Sequence, residues 1–134
     1  MALFSALLLV SAVDANVAVE FGAGNYTEYK HKNCYDGHGA VNIDTNNSPS
    51  PPAANITLEA CLQWCDKTAL DHCPRACDCV VFTPHNSKLG NPAPNTMGVC
   101  YRRSNCKLDD CPESDDFFAF AKNHIFQQRI QSTP

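Results

Sequence analysis

The sequence predicts a small disulfide-rich α+β domain in which one helix packs on an antiparallel sheet. Nine cysteines in 134 residues are typical of small extracellular domains whose cores need covalent bridges. One segment has apolar residues at helical spacing, and several short segments show the alternation or compact apolar runs of strands. Large aliphatic residues are sparse beyond the first fifteen positions, so bridges worth ~2–4 kcal/mol each must supply much of the stability.

The first fifteen residues are typical of a secretory signal peptide. The run from Leu3 to Val13 is apolar and too short to span a bilayer, and small-residue cleavage patterns end at Ala12 and Ala15. The usual basic residues are missing at its start, so the alternative is a resident apolar strand. We expect residues 1–15 to be a signal peptide and the protein to be secreted, with no membrane span.

Three N-glycosylation sequons independently favour an extracellular location. They begin at Asn25, Asn46 and Asn55. The Pro-rich stretch "TNNSPSPPAAN" breaks regular structure. Its Ser48 and Ser50 are candidates for O-glycosylation on an exposed spur, and the alternative is a plain exposed loop.

Three parts follow the signal segment. Residues 16–31 are an N-terminal extension in which "NVAVEF" alternates as a short strand before a polar link. The domain itself covers residues 32–122 and begins with "NCYDGHGAVNID", where Gly37 and Gly39 permit a tight turn between short strands. Residues 123–134 are a tail with few apolar side chains to anchor it.

The segment "ITLEACLQWCDKTA" predicts the helix of the domain. Thr57 is a suitable N-cap, and Glu59 lies in the first turn, where it favours the helix dipole. Cys61 and Cys65 lie four residues apart and therefore share the buried face. "CVVFTP", "VCYRRS" and "FFAFAK" are strand patterns, and "HNSKLGNPAPNTMG" is a long polar loop between the first two.

The order of these elements resembles that of the PAN/apple domain. The matching motifs are "NCYDGHGA", "TLEACLQWC", "CVVF", "VCYRRS" and "FFAFAK", and the resemblance covers residues 32–122. It implies one helix cradled by an antiparallel sheet, in a module that acts by contact with proteins or carbohydrates. It also implies three disulfide bonds, which are Cys34–Cys111, Cys61–Cys100 and Cys65–Cys79.

Three cysteines remain outside this pattern. We predict a Cys77–Cys106 bond, because each cysteine lies just outside one of two neighbouring strands. Cys73 is then free or bonded to another chain. The alternative is a local Cys73–Cys77 bond that leaves Cys106 single, since spacing alone does not determine connectivity.

The segment "HCPRACDC" concentrates cysteines, but we expect neither metal nor thiol chemistry there. A zinc site would need His72, Cys73, Cys77 and Cys79, and an oxidising compartment favours disulfides over Cys-x-Cys ligation. Cys73 beside His72 and Arg75 lacks a partner that would orient it as a nucleophile. The sequence therefore predicts no catalytic, cofactor or metal-binding residue, and a protein that is not an enzyme.

The charged residues argue against a nucleic-acid partner and against a calcium site. A formal net charge of −4, with no basic cluster beyond Arg102-Arg103, argues against nucleic acid. The acidic residues near the C-terminus lack EF-hand spacing and predict a solvated loop rather than a calcium site. They are Asp109, Asp110, Glu113, Asp115 and Asp116.

The candidate binding surface consists of Tyr35, His38, Arg102 and Arg103. The two rings can stack on a sugar, and the two guanidinium groups can clamp a carboxylate or sulfate. The alternative is that Tyr35 and Tyr101 are half-buried strand residues and that the arginines pair with the acidic loop.

Two functions remain for a module without chemistry. The first is a self-assembling structural or adhesive glycoprotein of a filament or matrix, in which "NVAVEF" adds to the open sheet edge of another copy. The second is a soluble carbohydrate-binding module of the PAN/apple type. The cysteine content and the termini favour the first, and the aromatic residues favour the second.

Overall fold

A computed structural model gives the fold and describes residues 17–21, 24–47, 50–68, 76–88 and 90–123. The predicted signal peptide, Ser48, Cys73 and the tail beyond Asn123 lie outside the described residues. Within these ranges the chain is a small disulfide-rich α+β domain with one α-helix and a curled, mostly antiparallel sheet. No α-helix in the described part of the chain has the length and apolarity needed to cross a bilayer.

The described elements follow one another in a strand-rich order. They are β1 (Val17–Phe21), β2 (Gly24–Lys32), β3 (Tyr35–Asp36), β4 (Gly39–Asn42), β5 (Ala53–Thr57), α1 (Leu58–Thr68), β6 (Cys79–Pro84), β7 (Met97–Ser104), a 3-10 turn (Leu108–Asp110) and β8 (Glu113–Lys122). The strand order in the sheet is β1-β2-β8-β6-β7-β4-β3, and β5 pairs with β7. The last described strand, β8, therefore lies between β2 and β6.

The β2 strand corrects the prediction of a polar link after "NVAVEF". It pairs with β1 on one side and with β8 on the other. The Tyr26 ring is fully buried, and its hydroxyl donates to the Leu62 carbonyl and to Oδ1 of Asp66. The strand signal in the sequence is weak, because Glu28 and Lys30 lie on the same face of β2 as the buried Tyr26. Residues 24–31 thus belong to the same sheet as the rest of the domain.

The start of β5 corrects a second prediction. The Pro-rich stretch was expected to lack regular structure up to Asn55, but Ala53 already pairs with Cys100 of β7. A register irregularity separates this pair from the next one, between Ile56 and Gly98. Pairing with β7 makes this short polar segment a strand, although its composition does not favour one.

The α1 helix begins and packs as its sequence predicts. The Thr57 hydroxyl oxygen accepts a hydrogen bond from the Ala60 N–H at 3.1 Å, which confirms the N-cap. Leu58, Cys61, Leu62 and Cys65 are fully buried against the sheet. They form the larger core together with Phe82 and Phe120.

The sheet is buried on both faces, because side chains alternate along each strand. On β6, Val80 and Phe82 belong to the core beneath α1, whereas Val81 belongs to a second, smaller core on the opposite face. This second core contains Ala119 and the Cys34–Cys111 bond. No α-helix in the described residues covers it.

Four disulfide bonds connect the described cysteines. They are Cys34–Cys111, Cys61–Cys100, Cys65–Cys77 and Cys79–Cys106. The first two are the pairs that the PAN/apple resemblance implies. The other two exchange partners relative to the predicted pairs Cys65–Cys79 and Cys77–Cys106, which are therefore wrong.

The alternation of β6 explains this exchange. Cys79 is the first residue of the strand and points, like Val81, to the face opposite α1. Cys65 lies on the buried face of α1, with the sheet between it and that side of β6. Cys77 precedes the strand and reaches Cys65, while Cys79 bonds Cys106 on the opposite face. The alternative Cys73–Cys77 pairing is also wrong, because Cys77 is occupied.

Candidate functional site

The two adjacent arginines of β7 do not form the clamp that the sequence predicted. Arg102 and Arg103 are only 7% and 5% exposed and point to opposite faces of the strand. Among the described residues, neither forms an ion pair with the acidic loop at residues 109–116, and Arg102 pairs with Asp44 instead. Arg102 is therefore structural, whereas Arg103 also borders a surface cleft.

Arg102 ties the loop after β4 to the end of α1. Its Nε and Nη2 donate to the two carboxylate oxygens of fully buried Asp44 at 3.0 and 2.8 Å. Nη1 donates to the Thr68 hydroxyl at 2.7 Å, and the guanidinium lies 3.5 Å from the centre of the Trp64 ring. The bidentate, stacked geometry accounts for arginine rather than lysine at this position.

Arg103 occupies the opposite face and supports an aromatic cleft. Its Nε donates to the Cys34 carbonyl at 2.8 Å, and its Nη1 donates to the carbonyls of Asp44 at 2.8 Å and Arg102 at 3.2 Å. The guanidinium lies 5.0 Å from the centre of the Tyr101 ring. Loss of hydration on burial lowers the pKa of this group to about 10, against the opposing attraction of Asp44.

Tyr35 and His38 lie together, as the sequence predicted, on the tight turn between β3 and β4. Their backbones exchange two hydrogen bonds, and their rings are in contact at a tilt, with centres 4.5 Å apart. Gly37 and Gly39 have φ angles of 75° and 84°, which L side chains rarely adopt. A side chain at Gly39 would also collide with the Sγ of Cys111, so the turn is held against a disulfide.

The cleft is a shallow opening of about 240 Å³. It is lined by Asn33, Tyr35, Tyr101, Arg103 and Phe117. The rings of Tyr101 and Phe117 are tilted relative to each other, with centres 6.5 Å apart. Three aromatic side chains from distant parts of the chain thus surround one opening on the face without α1.

Three lining residues, Asn33, Tyr101 and Phe117, were not among the predicted binding residues. Tyr101 was expected only as a half-buried strand residue, and it is half-buried. Asn33 precedes the first cysteine, and Phe117 was assigned only to the closing strand. Alternation along "FFAFAK" puts Phe117 and Phe118 on opposite faces. That pattern indicates that one ring faces away from the main core, but it does not show which ring.

The predicted modification sites differ in their surroundings. Asn46 and Asn55 are exposed, as N-glycan acceptors must be. The Ser50 hydroxyl donates to Asp44 and accepts from Arg102. A sugar on that oxygen would disrupt this buried network, so Ser50 is not a suitable O-glycosylation site.

The described residues that were considered as metal ligands are disulfide-bonded or exposed. Cys77 and Cys79 are consumed in disulfides and do not ligate zinc. Of the acidic residues, Asp109, Asp110, Glu113, Asp115 and Asp116 are all exposed. In the part of the chain that the structure describes, no three His, Cys, Asp or Glu side chains gather as metal ligands.

Comparisons with protein-family models, with curated proteins and with solved structures found no match for this chain.

Proposed function

We propose that this chain is a non-enzymatic, secreted PAN/apple-like module that binds saccharides in the aromatic cleft. The observation that carries the proposal is the grouping of Tyr35, Tyr101 and Phe117 around one opening. Aromatic faces pack against the apolar faces of sugar rings, and the side chains of Asn33 and Arg103 add hydrogen-bond donors beside them.

The shape of the cleft favours part of a longer chain over an enclosed small molecule. Its volume of about 240 Å³ lies below the ~300–1,000 Å³ of pockets that enclose drug-sized ligands. An open, shallow site of this size suits one or two units of an oligosaccharide whose other units extend into solvent.

A disulfide and buried hydrogen bonds constrain the backbone beside the cleft, and such constraint lowers the entropic cost of binding. The Cys34–Cys111 bond lies beside the Tyr35 turn, and Arg103 holds the Cys34 carbonyl. The four disulfides also suit an oxidising, extracellular compartment. Two of them agree with the pairing implied by the PAN/apple resemblance.

The test is binding of the folded, disulfide-bonded protein to an oligosaccharide panel that includes neutral and acidic members. Tyr35→Ala removes a cleft ring that lies outside both cores, and we expect it to weaken binding about tenfold or more. Met97→Ala truncates an exposed apolar side chain on β7 outside the cleft and should leave binding unchanged. Absence of binding to every member of the panel would refute the proposal.

Self-association is a second candidate, favoured by the position of β1. This strand lies at one end of the described sheet and pairs with β2 on one side. An edge strand offers backbone N–H and C=O groups to a strand of another copy. Of the predicted glycan acceptors, exposed Asn46 and Asn55 lie near the other end, at β4 and β5, whereas Asn25 lies in β2 beside this edge.

Sedimentation across a wide concentration range tests this second candidate. We expect an oligomer that Val19→Pro shifts towards monomer, because proline removes a strand N–H. Ser87→Pro in the exposed loop after β6 is the matched control. A protein that sediments only as a monomer at all concentrations would exclude self-assembly.

A further inference from the structure

The guanidinium of Arg103 is a buried positive charge whose hydrogen-bond acceptors are all neutral. Its Nε and Nη1 donate only to backbone carbonyls. The hydrogen bonds found to described residues come from Nε and Nη1, and the side chain of Arg103 borders the cleft, where its Nη2 is left to meet a ligand. Arg102 differs, because its charge is met directly by the Asp44 carboxylate at 2.8 Å.

A counter-ion would stabilise a positive charge in this environment. Burial lowers the pKa of Arg103 to about 10, so the side chain stays protonated at neutral pH while it has lost much of its hydration. Buried charges in proteins are normally paired, because desolvation is costly otherwise. An anionic group arriving in the cleft would supply the missing partner.

Neither of the two carboxylates that attract Arg103 acts as its direct counter-ion. Asp44 and Asp36 both attract Arg103 at longer range. However, the Asp44 carboxylate is occupied by Arg102 and Ser50. Asp36 is exposed, and its Oδ1 accepts the Asn42 N–H at 2.7 Å. Neither carboxylate forms an ion pair with Arg103 in the structure.

We propose that the cleft takes an acidic saccharide whose carboxylate or sulfate contacts Nη2 of Arg103 while its ring packs on Tyr35 or Tyr101. The inference rests on the proposed saccharide-binding function and deepens it by naming the ligand class. The aromatic rings supply contact area that does not depend on charge, and Arg103 supplies the preference for an anion.

The decisive experiment changes the charge of the ligand rather than the protein. Calorimetry compares wild-type binding of trigalacturonate, its fully methyl-esterified form and a sulfated neutral trisaccharide. One charge-assisted hydrogen bond corresponds to about tenfold or more in affinity, so we expect the ester to bind at least that much more weakly. The affinity for the sulfated trisaccharide shows whether sulfate can replace carboxylate.

The outcomes separate this inference from the function on which it rests. Equal affinity for the acid and its ester would overturn the acidic preference and leave saccharide binding intact. No binding by any of the three, nor by the wider panel, would overturn both. Equal loss of binding in Met97→Ala and Tyr35→Ala would place the ligand outside the cleft and also overturn the inference.

A variant pair tests the contribution of Arg103 itself. Arg103→Gln should reduce the acid-to-ester affinity ratio to about one, whereas Lys88→Gln removes an exposed charge elsewhere and should preserve the ratio. Near-UV circular dichroism shows whether Arg103→Gln still folds. If it does not, the comparison of the two ligands on the wild-type protein still decides. An equal change in both variants would indicate general charge attraction and refute a specific contact.

Discussion

Replacing Asp44 with asparagine should destabilise the domain strongly, although the change is nearly isosteric. Asp44 is fully buried, and its carboxylate accepts hydrogen bonds from the backbone N–H, Nε and Nη2 of Arg102. It also accepts from the Ser50 hydroxyl at 2.7 Å. The asparagine has one carboxylate oxygen fewer and no charge, so Arg102 would remain buried and unpaired.

The magnitude follows from breaking one partner of a buried pair. Such changes cost ~3–5 kcal/mol, because the remaining charge is not compensated in the interior. Removing Arg102 as well should recover part of this loss. We therefore expect Asp44→Asn alone to lower the free energy of unfolding more than the double change Asp44→Asn with Arg102→Met. In the double variant, an apolar methionine side chain replaces the guanidinium on the Trp64 ring.

Urea unfolding without reductant measures these free energies, because the disulfides must stay intact in all variants. Asp36→Asn is the matched control, since Asp36 is exposed and its Oδ1 accepts a single backbone N–H. It should cost less than ~1 kcal/mol. An Asp44→Asn cost no larger than that of Asp36→Asn would refute the view that this ion pair holds the loop to the helix.

Three further predictions concern the helix, the sheet and the cysteines. Burial raises the pKa of the Glu28 carboxyl, against the attraction of nearby cations, so the folded state holds the proton more tightly and stability falls as pH rises above ~4.3. Glu28→Gln should therefore raise the Tm at pH 7.5 and leave it almost unchanged at pH 3.5. Thr57→Ala should cost ~1 kcal/mol in urea unfolding, through loss of the N-cap. Non-reducing peptide mapping should recover Cys65 joined to Cys77 and not to Cys79.

Each of these three has an outcome that contradicts it. A Tm gain for Glu28→Gln that is equal at both pH values would show that ionisation is not the cause. Ser87→Ala, on the exposed loop after β6, is the control for Thr57→Ala, and equal costs would exclude a capping effect. A recovered Cys65–Cys79 peptide would show that the alternation of β6 does not govern the pairing.

The local elements of this fold were largely accessible from the sequence. Thr57, the spacing of Cys61 and Cys65, and the compact run "CVVF" each act within a few residues, so α1 and β6 could be predicted from neighbours along the chain. The β2 strand could not, because its residues are polar on both faces and become a strand only through pairing with β1 and β8.

Cysteine number and local periodicity are properties of the sequence, and these two alone determined that the chain forms a disulfide-rich α+β domain. Only the tertiary structure decided the partners of Cys65 and Cys79, because pairing depends on which face of β6 each cysteine meets. The same alternation sends Arg102 to the ion pair beneath α1 and Arg103 to the aromatic cleft. Side chains adjacent in sequence lie on opposite faces of a strand, and only the packing around the sheet determines what each face encounters.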